Sequence, residues 1–132
     1  MNLKVMIIDD DEIVVLIHKT YLKKCGISPD PITFLNGEEA LQYIQAHGGT
    51  DTQFLVLLDL NMPVMDGWSF MEELSHKSLS TQVYVVMITS SLSKADRERA
   101  KSFSNTIDFM VKPLDISSYE GIRLLPELTS YF

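Results

Sequence analysis

The sequence predicts an α/β protein built around one doubly wound parallel sheet. Three observations carry that expectation. Short apolar runs rich in β-branched residues recur five times along the 132 residues. Segments of helical character separate them, and short connections then imply parallel strands, right-handed crossovers and helices on both faces. Three of the runs are apolar at nearly every position, which suits strands covered on both sides.

The first strand is expected over residues 3–8 and runs into Asp9, Asp10 and Asp11. A helix follows over residues 12–24, with Asp10 or Asp11 as its cap and Gly26 where a C-terminal stop belongs. The second strand is expected at 32–35. Asn36-Gly37 then opens a helix over 38–47, which places Ala40, Leu41 and Ile44 on one face and stops at Gly48-Gly49. The third strand, 54–58, ends against Asp59. The third helix starts near Gly67, with Asp66 as its cap and Gly67 supplying backbone freedom, and it carries Phe70, Met71 and Leu74. The fourth strand, 83–88, leads to Thr89, Ser90 and Ser91. The fourth helix, 93–103, is mostly polar. Only Ala95, Ala100 and Phe103 are spaced for burial, and so thin an anchorage marks a candidate mobile element. The fifth strand, 107–111, leads into Lys112-Pro113. A last helical segment, 116–131, carries Gly121 and Pro126. The proline removes a helix hydrogen bond and clashes with the preceding turn, so a break is expected there.

Composition limits what such a fold can do. Hydrophobic residues make up 45% and charged residues 22%, the balance of a globular chain rather than a disordered one. Eighteen acids against 11 bases leave a net charge of -7, which argues against nucleic acid or an anionic membrane as the main partner. No apolar run reaches the roughly 18 residues of a membrane span. The apolar N-terminus is too short for a signal peptide. The single cysteine, Cys25, has no internal partner and no activating neighbour in sequence; it reads as structural, in a reducing compartment. The expectation is a cytoplasmic chain with one domain over residues 1–132 and no output domain.

In open parallel sheets, ligands bind beyond the carboxyl ends of the strands. Those ends gather Asp9, Asp10, Asp59, Thr89 and Lys112. Clustered carboxylates repel, and a hard divalent ion relieves that with oxygen ligands; magnesium fits, since it takes one or two carboxylates plus waters and a phosphate oxygen. No Cys/His spacing supports zinc, and His18, His47 and His76 read as surface or boundary residues on helices. A carboxylate beside such an ion can attack phosphorus and form an acyl phosphate. Lys112 and Thr89 would then meet the remaining phosphoryl oxygens, and no general base is needed because the carboxylate is already ionised.

The motifs Ile8-Asp9-Asp10, Asp59-Leu60-Asn61-Met62-Pro63-Val64-Met65-Asp66-Gly67, Ile88-Thr89-Ser90 and Val111-Lys112-Pro113 occur in that order. In them the sequence resembles the receiver domain of two-component response regulators, over residues 3–125. The resemblance implies a flavodoxin-like (βα)5 fold with strand order 2-1-3-4-5. It implies Asp59 as the acceptor of a phosphoryl group from a histidine kinase or histidine phosphotransfer protein, with Mg2+ (or Mn2+) as cofactor. Asp10 and Asp59 would ligate the metal directly, Asp9 through water and Asn61 through its backbone carbonyl. Thr89 and Lys112 would contact the phosphoryl group, and Lys112-Pro113 would be cis. Phe109 falls at the switch aromatic position, coupled to Thr89, and Asn61 and Ser91 at positions that tune hydrolysis of the acyl phosphate. A downstream protein target would read the helix 4–strand 5–helix 5 face, with the protein a monomer or a phosphorylation-dependent dimer. A switch acting in trans and a relay intermediate share this chemistry and stay open. A magnesium-dependent phosphatase would want Asp where Asn61 stands, and a flavodoxin would want a hydroxyl- and glycine-rich loop where three aspartates stand.

Overall fold

The computed structural model describes residues 2–62, 65–90 and 93–132. Pro63, Val64 and Ser91, which the sequence reading includes in its motifs, lie outside the described residues. Five strands, β1 (Asn2–Ile8), β2 (Ile32–Phe34), β3 (Thr52–Asp59), β4 (Gln82–Thr89) and β5 (Thr106–Val111), form one parallel sheet in the order β2-β1-β3-β4-β5. Between and after them come α1 (Glu12–Lys24), α2 (Gly37–His47), α3 (Gly67–His76), α4 (Lys94–Lys101) and α5 (Ile116–Arg123), with a short 3-10 turn at Thr129–Tyr131.

Alternation along the strands divides the core in two. Met6, Ile8, Phe54, Val56, Leu58, Val83, Val85 and Met87 point to one side, where α2 and α3 bring Ala40, Leu41, Ile44, Phe70, Met71 and Leu74. Val5, Ile7, Leu55, Leu57, Val86 and Ile88 point to the other, where α1 and α5 bring Val15, Leu22, Tyr119 and Ile122. Each central strand therefore needs apolar residues at nearly every position between its ends, which is why its sequence shows no regular polar alternation.

Side chains cap all five described helices. Asp11, Asn36, Asp66, Ser93 and Asp115 each accept from a backbone N–H in the first turn. Asp11 rather than Asp10 is thus the cap of α1, and Asp10 is left for other work. At the far end of α1, Gly26 has φ +71°, and the Gly26 and Ile27 N–H groups donate to Lys23 and Leu22 carbonyls. That is a left-handed stop which favours glycine.

Three expectations are corrected and one is met. The polar fourth helix covers only Lys94–Lys101, and Ala95 is exposed, so Ala100 is its one buried residue. The break expected near Pro126 is present: α5 passes through Gly121, ends at Arg123, and a separate 3-10 turn follows at Thr129–Tyr131. His18 is not a surface or boundary residue; it is 3% exposed, and its Nδ1 lies 2.7 Å from the Tyr119 hydroxyl between α1 and α5. Gly67 has no left-handed backbone. It is small because a Cβ there would meet the Leu60 Cα at 2.7 Å and the Asp59 carbonyl oxygen at 2.8 Å.

One irregularity bears on the site. The register of β4 with β5 jumps from Val85–Thr106 to Val86–Asp108, so β5 carries one extra residue. In consequence Ile107 and Met110, three apart, pack on the α1/α5 side, while Phe109 packs on the other.

Candidate functional site

The register of the sheet brings the strand ends together. Ile8 pairs with Leu58, Asp59 with Ile88 and Thr89 with Val111, so the residues that follow β1, close β3 and β4, and follow β5 share one edge. Asp9 continues the ladder, its N–H donating to the Phe34 carbonyl. Lys112 does the same, its N–H donating to the Thr89 carbonyl at 2.7 Å. Leu60 is held from two sides: its N–H donates to the Ile88 carbonyl, and its carbonyl accepts from the Gly67 N–H.

Asp9, Asp59 and Thr89 are all buried, whereas Asp10 and Asn61 are exposed. Carboxylate oxygens of Asp9, Asp10 and Asp59 lie within 4.8 Å of one another. The Lys112 Nζ, partly exposed, sits 3.3 Å from Asp9 Oδ2 and 3.4 Å from Asp59 Oδ1. Two backbone donors complete the frame. The Asp11 N–H donates to Asp9 Oδ1 at 2.9 Å, and the Asn61 N–H donates to Asp59 Oδ1 at 3.2 Å. Among the described residues, both polar contacts of the Asp59 carboxylate fall on Oδ1.

One ammonium does not neutralise two buried carboxylates and a third beside them. Burial pushes the Asp59 carboxyl above its ordinary range and the neighbouring charge of Asp9 adds to the rise; the Asn61 N–H and Lys112 only oppose it. Asp9 is raised in the same way, first by burial and also by Asp10, against the Asp11 N–H and Lys112. The site is therefore short of positive charge. Its donors are hard oxygens, two of them buried, converging on one point, and this set fits a small hard dication such as Mg2+.

The remaining sequence-singled residues fall as follows. The Lys112–Pro113 peptide bond is cis. Phe109 is half-buried on the α4 side of β5, with the Arg97 guanidinium 5.2 Å from its ring centroid. Cys25 is buried at the end of α1, where burial pushes its thiol up, away from reactivity. His47 and His76 are exposed and far in sequence from the strand ends.

Three residues near the site carry weight that the sequence alone did not give them. Gly67 lets α3 start against the backbone of Asp59 and Leu60. His18 and Tyr119 line, with Lys112, Pro113 and Leu114, a small apolar cavity of about 170 Å3 behind the lysine. The crowding on Gly67 is a tertiary contact with no sequence signal beyond the glycine itself. His18 could have been found by its spacing, three and four residues from Val15 and Leu22, on one helix face.

Comparison with known proteins gives consistent findings. A sequence model of the response regulator receiver domain matches residues 5–122. The two-component response regulator 24 of Arabidopsis thaliana is 29% identical over 132 residues, covering 98% of this chain and 86% of its own. The probable methanogenesis regulatory protein FilR2 of Methanothrix harundinacea is 26% identical over 132 residues, covering 97% and 82%. Among solved structures, a CheY-like response regulator receiver domain protein from Methanospirillum hungatei superposes with a TM-score of 0.74 at 26% identity, covering 97% of this chain and 98% of that one.

Proposed function

Since the chain belongs to the response regulator receiver domain family of two-component signalling, we propose that it takes a phosphoryl group on Asp59 from a phosphohistidine and passes the event on through protein contacts. The observation that carries this reading is the convergence of Asp9, Asp10, Asp59 and Lys112 at the strand ends, with Asp59 buried and framed on one oxygen only.

Asp59 Oδ1 is held by the Asn61 N–H and Lys112, which leaves Oδ2 to attack. The Oδ2 lone pair forms the new O–P bond as the bond between phosphorus and the donor's histidine nitrogen breaks, and that nitrogen keeps the electron pair and takes up a proton. Catalysis is mostly positioning and charge neutralisation. Lys112 stands where its ammonium can meet one phosphoryl oxygen, and Thr89, at the end of β4 between the strands of Asp59 and Lys112, would offer its hydroxyl to another. Mg2+ or Mn2+ would be held by Asp10 and Asp59 directly, by Asp9 through water and by the Asn61 carbonyl. Bound there, it would neutralise a third phosphoryl oxygen and the carboxylates themselves. The same groups would serve water when the acyl phosphate is hydrolysed, so uptake and loss are both self-catalysed.

The donor would be a histidine kinase or histidine phosphotransfer protein. Exposed Ile13, Leu16 and Ile17 on α1 give such a protein an apolar landing beside the cleft. Movement of Thr89 and Phe109 would then alter the face formed by α4, β5 and α5, where the downstream protein reads the state. Among the described residues no helix is long and apolar enough to cross a membrane, which agrees with work in the cytoplasm.

The test is labelling with radioactive acetyl phosphate and magnesium. Wild-type protein should acquire one phosphoryl group with the acid and hydroxylamine lability of an acyl phosphate, and Asp59→Asn should acquire none. Persistent label in the Asp59 variant would falsify the acceptor assignment.

A further inference from the structure

Helices are ordinarily fastened by buried apolar side chains, and α4 has almost none. Ala100 is its only buried residue. Between α4 and β5 lies a cavity of about 270 Å3, lined in part by Arg97, Ala100, Thr106 and Phe109. The Thr106 hydroxyl beside it is buried, with no hydrogen-bond partner among the described residues. The Lys101–Glu98 ion pair lies within the helix and fastens it to nothing else.

Among the described residues, two arginines reach from α4 to its neighbours. The Arg99 guanidinium lies 4.4 Å from the ring centroid of Trp68 and 3.3 Å from Glu72 Oε1, both on α3. Trp68 is in turn stacked on Phe103, just beyond α4, with centroids 6.4 Å apart. Arg97 lies 5.2 Å over the ring of Phe109 on β5. Each contact is solvent-exposed on its polar side, so each is worth only a fraction of one buried leucine. They are strong enough to bias the helix and weak enough to be let go.

From this we infer that Arg99 and Arg97 are straps holding α4 in the resting state, and that their strength sets how readily the acceptor site switches. The inference rests on the function proposed above. The path between strap and site is short. Ser93, the cap of α4, stands four positions after Thr89, and Phe109, under Arg97, stands three before Lys112. A ligand that favours the released helix binds more tightly as the released fraction grows. Loosening a strap therefore strengthens binding at a site that the strap does not touch.

The probe is beryllofluoride with magnesium, a stable mimic of the aspartyl phosphate, titrated calorimetrically into wild type, Arg99→Ala, Arg99→Lys and Glu72→Gln. Trp68 is the sole tryptophan, so its emission reports on the Arg99 strap directly. Saturation of wild type should shift that emission. Arg99→Ala should bind about fivefold more tightly than wild type, the ratio expected for losing one exposed cation–π contact and one surface ion pair, with Arg99→Lys in between. A purely structural role predicts the opposite sign, lower stability with equal or weaker binding. Equal or weaker binding by Arg99→Ala, or unmoved Trp68 emission in saturated wild type, would overturn the straps. If wild type binds and takes label while Arg99→Ala follows it, only the strap inference falls. If wild type does neither, the acceptor reading falls and takes the straps with it.

Discussion

His18 illustrates how a single side chain ties the fold to pH. It is buried against Tyr119, whose ring stacks on Tyr21 at 4.9 Å, and burial together with the positive charge of Lys112 pushes its pKa from 6.5 down to about 4. In the unfolded chain it takes a proton at its ordinary pKa; in the folded protein it does so only in far stronger acid. Between the two values the unfolded chain binds more protons, so stability is full above pH 6.5 and falls as pH drops towards 4. The shift corresponds to about 3 kcal/mol. Denaturant titrations of wild type and His18→Gln from pH 7 to 4 should diverge by that order, with wild type losing more; parallel profiles would show that His18 does not titrate as described. The buried carboxylates Asp9 and Asp59 are present in both proteins and cancel in the difference. This histidine also marks a limit of reading by composition. On α1 the strongly apolar Ile13 and Leu16 are 71% and 63% exposed, while His18 is buried. Which face of a helix turns inward is decided by what waits there, here the Tyr119 hydroxyl, and not by hydropathy alone.

At the scale of elements, α3 and the acceptor loop form one unit through Gly67. A Cβ at that position would press on backbone atoms of Asp59 and Leu60 that cannot rotate away. Gly67→Ala should therefore push α3 and the loop apart, at a cost of about 2 kcal/mol in chemical denaturation, and should slow labelling of Asp59 by acetyl phosphate. A variant as stable and as quickly labelled as wild type would show that the contact is idle. The strands, caps and acidic strand ends were legible because local rules fix them. Apolar runs between breakers make the strands, and Asn36 and Asp66 stand where caps belong. The extra residue in β5 was not legible. Residues 107–111 read as an uninterrupted run, and only pairing with β4 shows that Ile107 and Phe109 face opposite sides. That half-turn aims Phe109 at α4, so the sequence suggested its position in the chain but not its orientation. Likewise α4 reads as thinly anchored, but the arginine contacts that replace a core for it depend on α3 and β5 being in place.

For the molecule as a whole, the acidic cleft is the point of greatest electrostatic tension in a chain of net charge -7. A bound dication should therefore stabilise the entire fold. At a hundredfold excess over its Kd, Mg2+ should add about 2.7 kcal/mol of unfolding free energy, seen as a rise in Tm over the same protein in EDTA. Asp10→Asn should shrink that rise. A Tm indifferent to Mg2+ would mean that the carboxylates do not share an ion. Seen from the opposite border of the sheet, β2 has a different consequence. It closes that side with three residues only, Ile32–Phe34, bonded to β1 along Met6–Ile8. A stranger's backbone trying to extend the ladder there would find too few open rungs to grip, so this margin of the sheet, unlike the longer β5 margin, resists side-by-side stacking by its shortness alone.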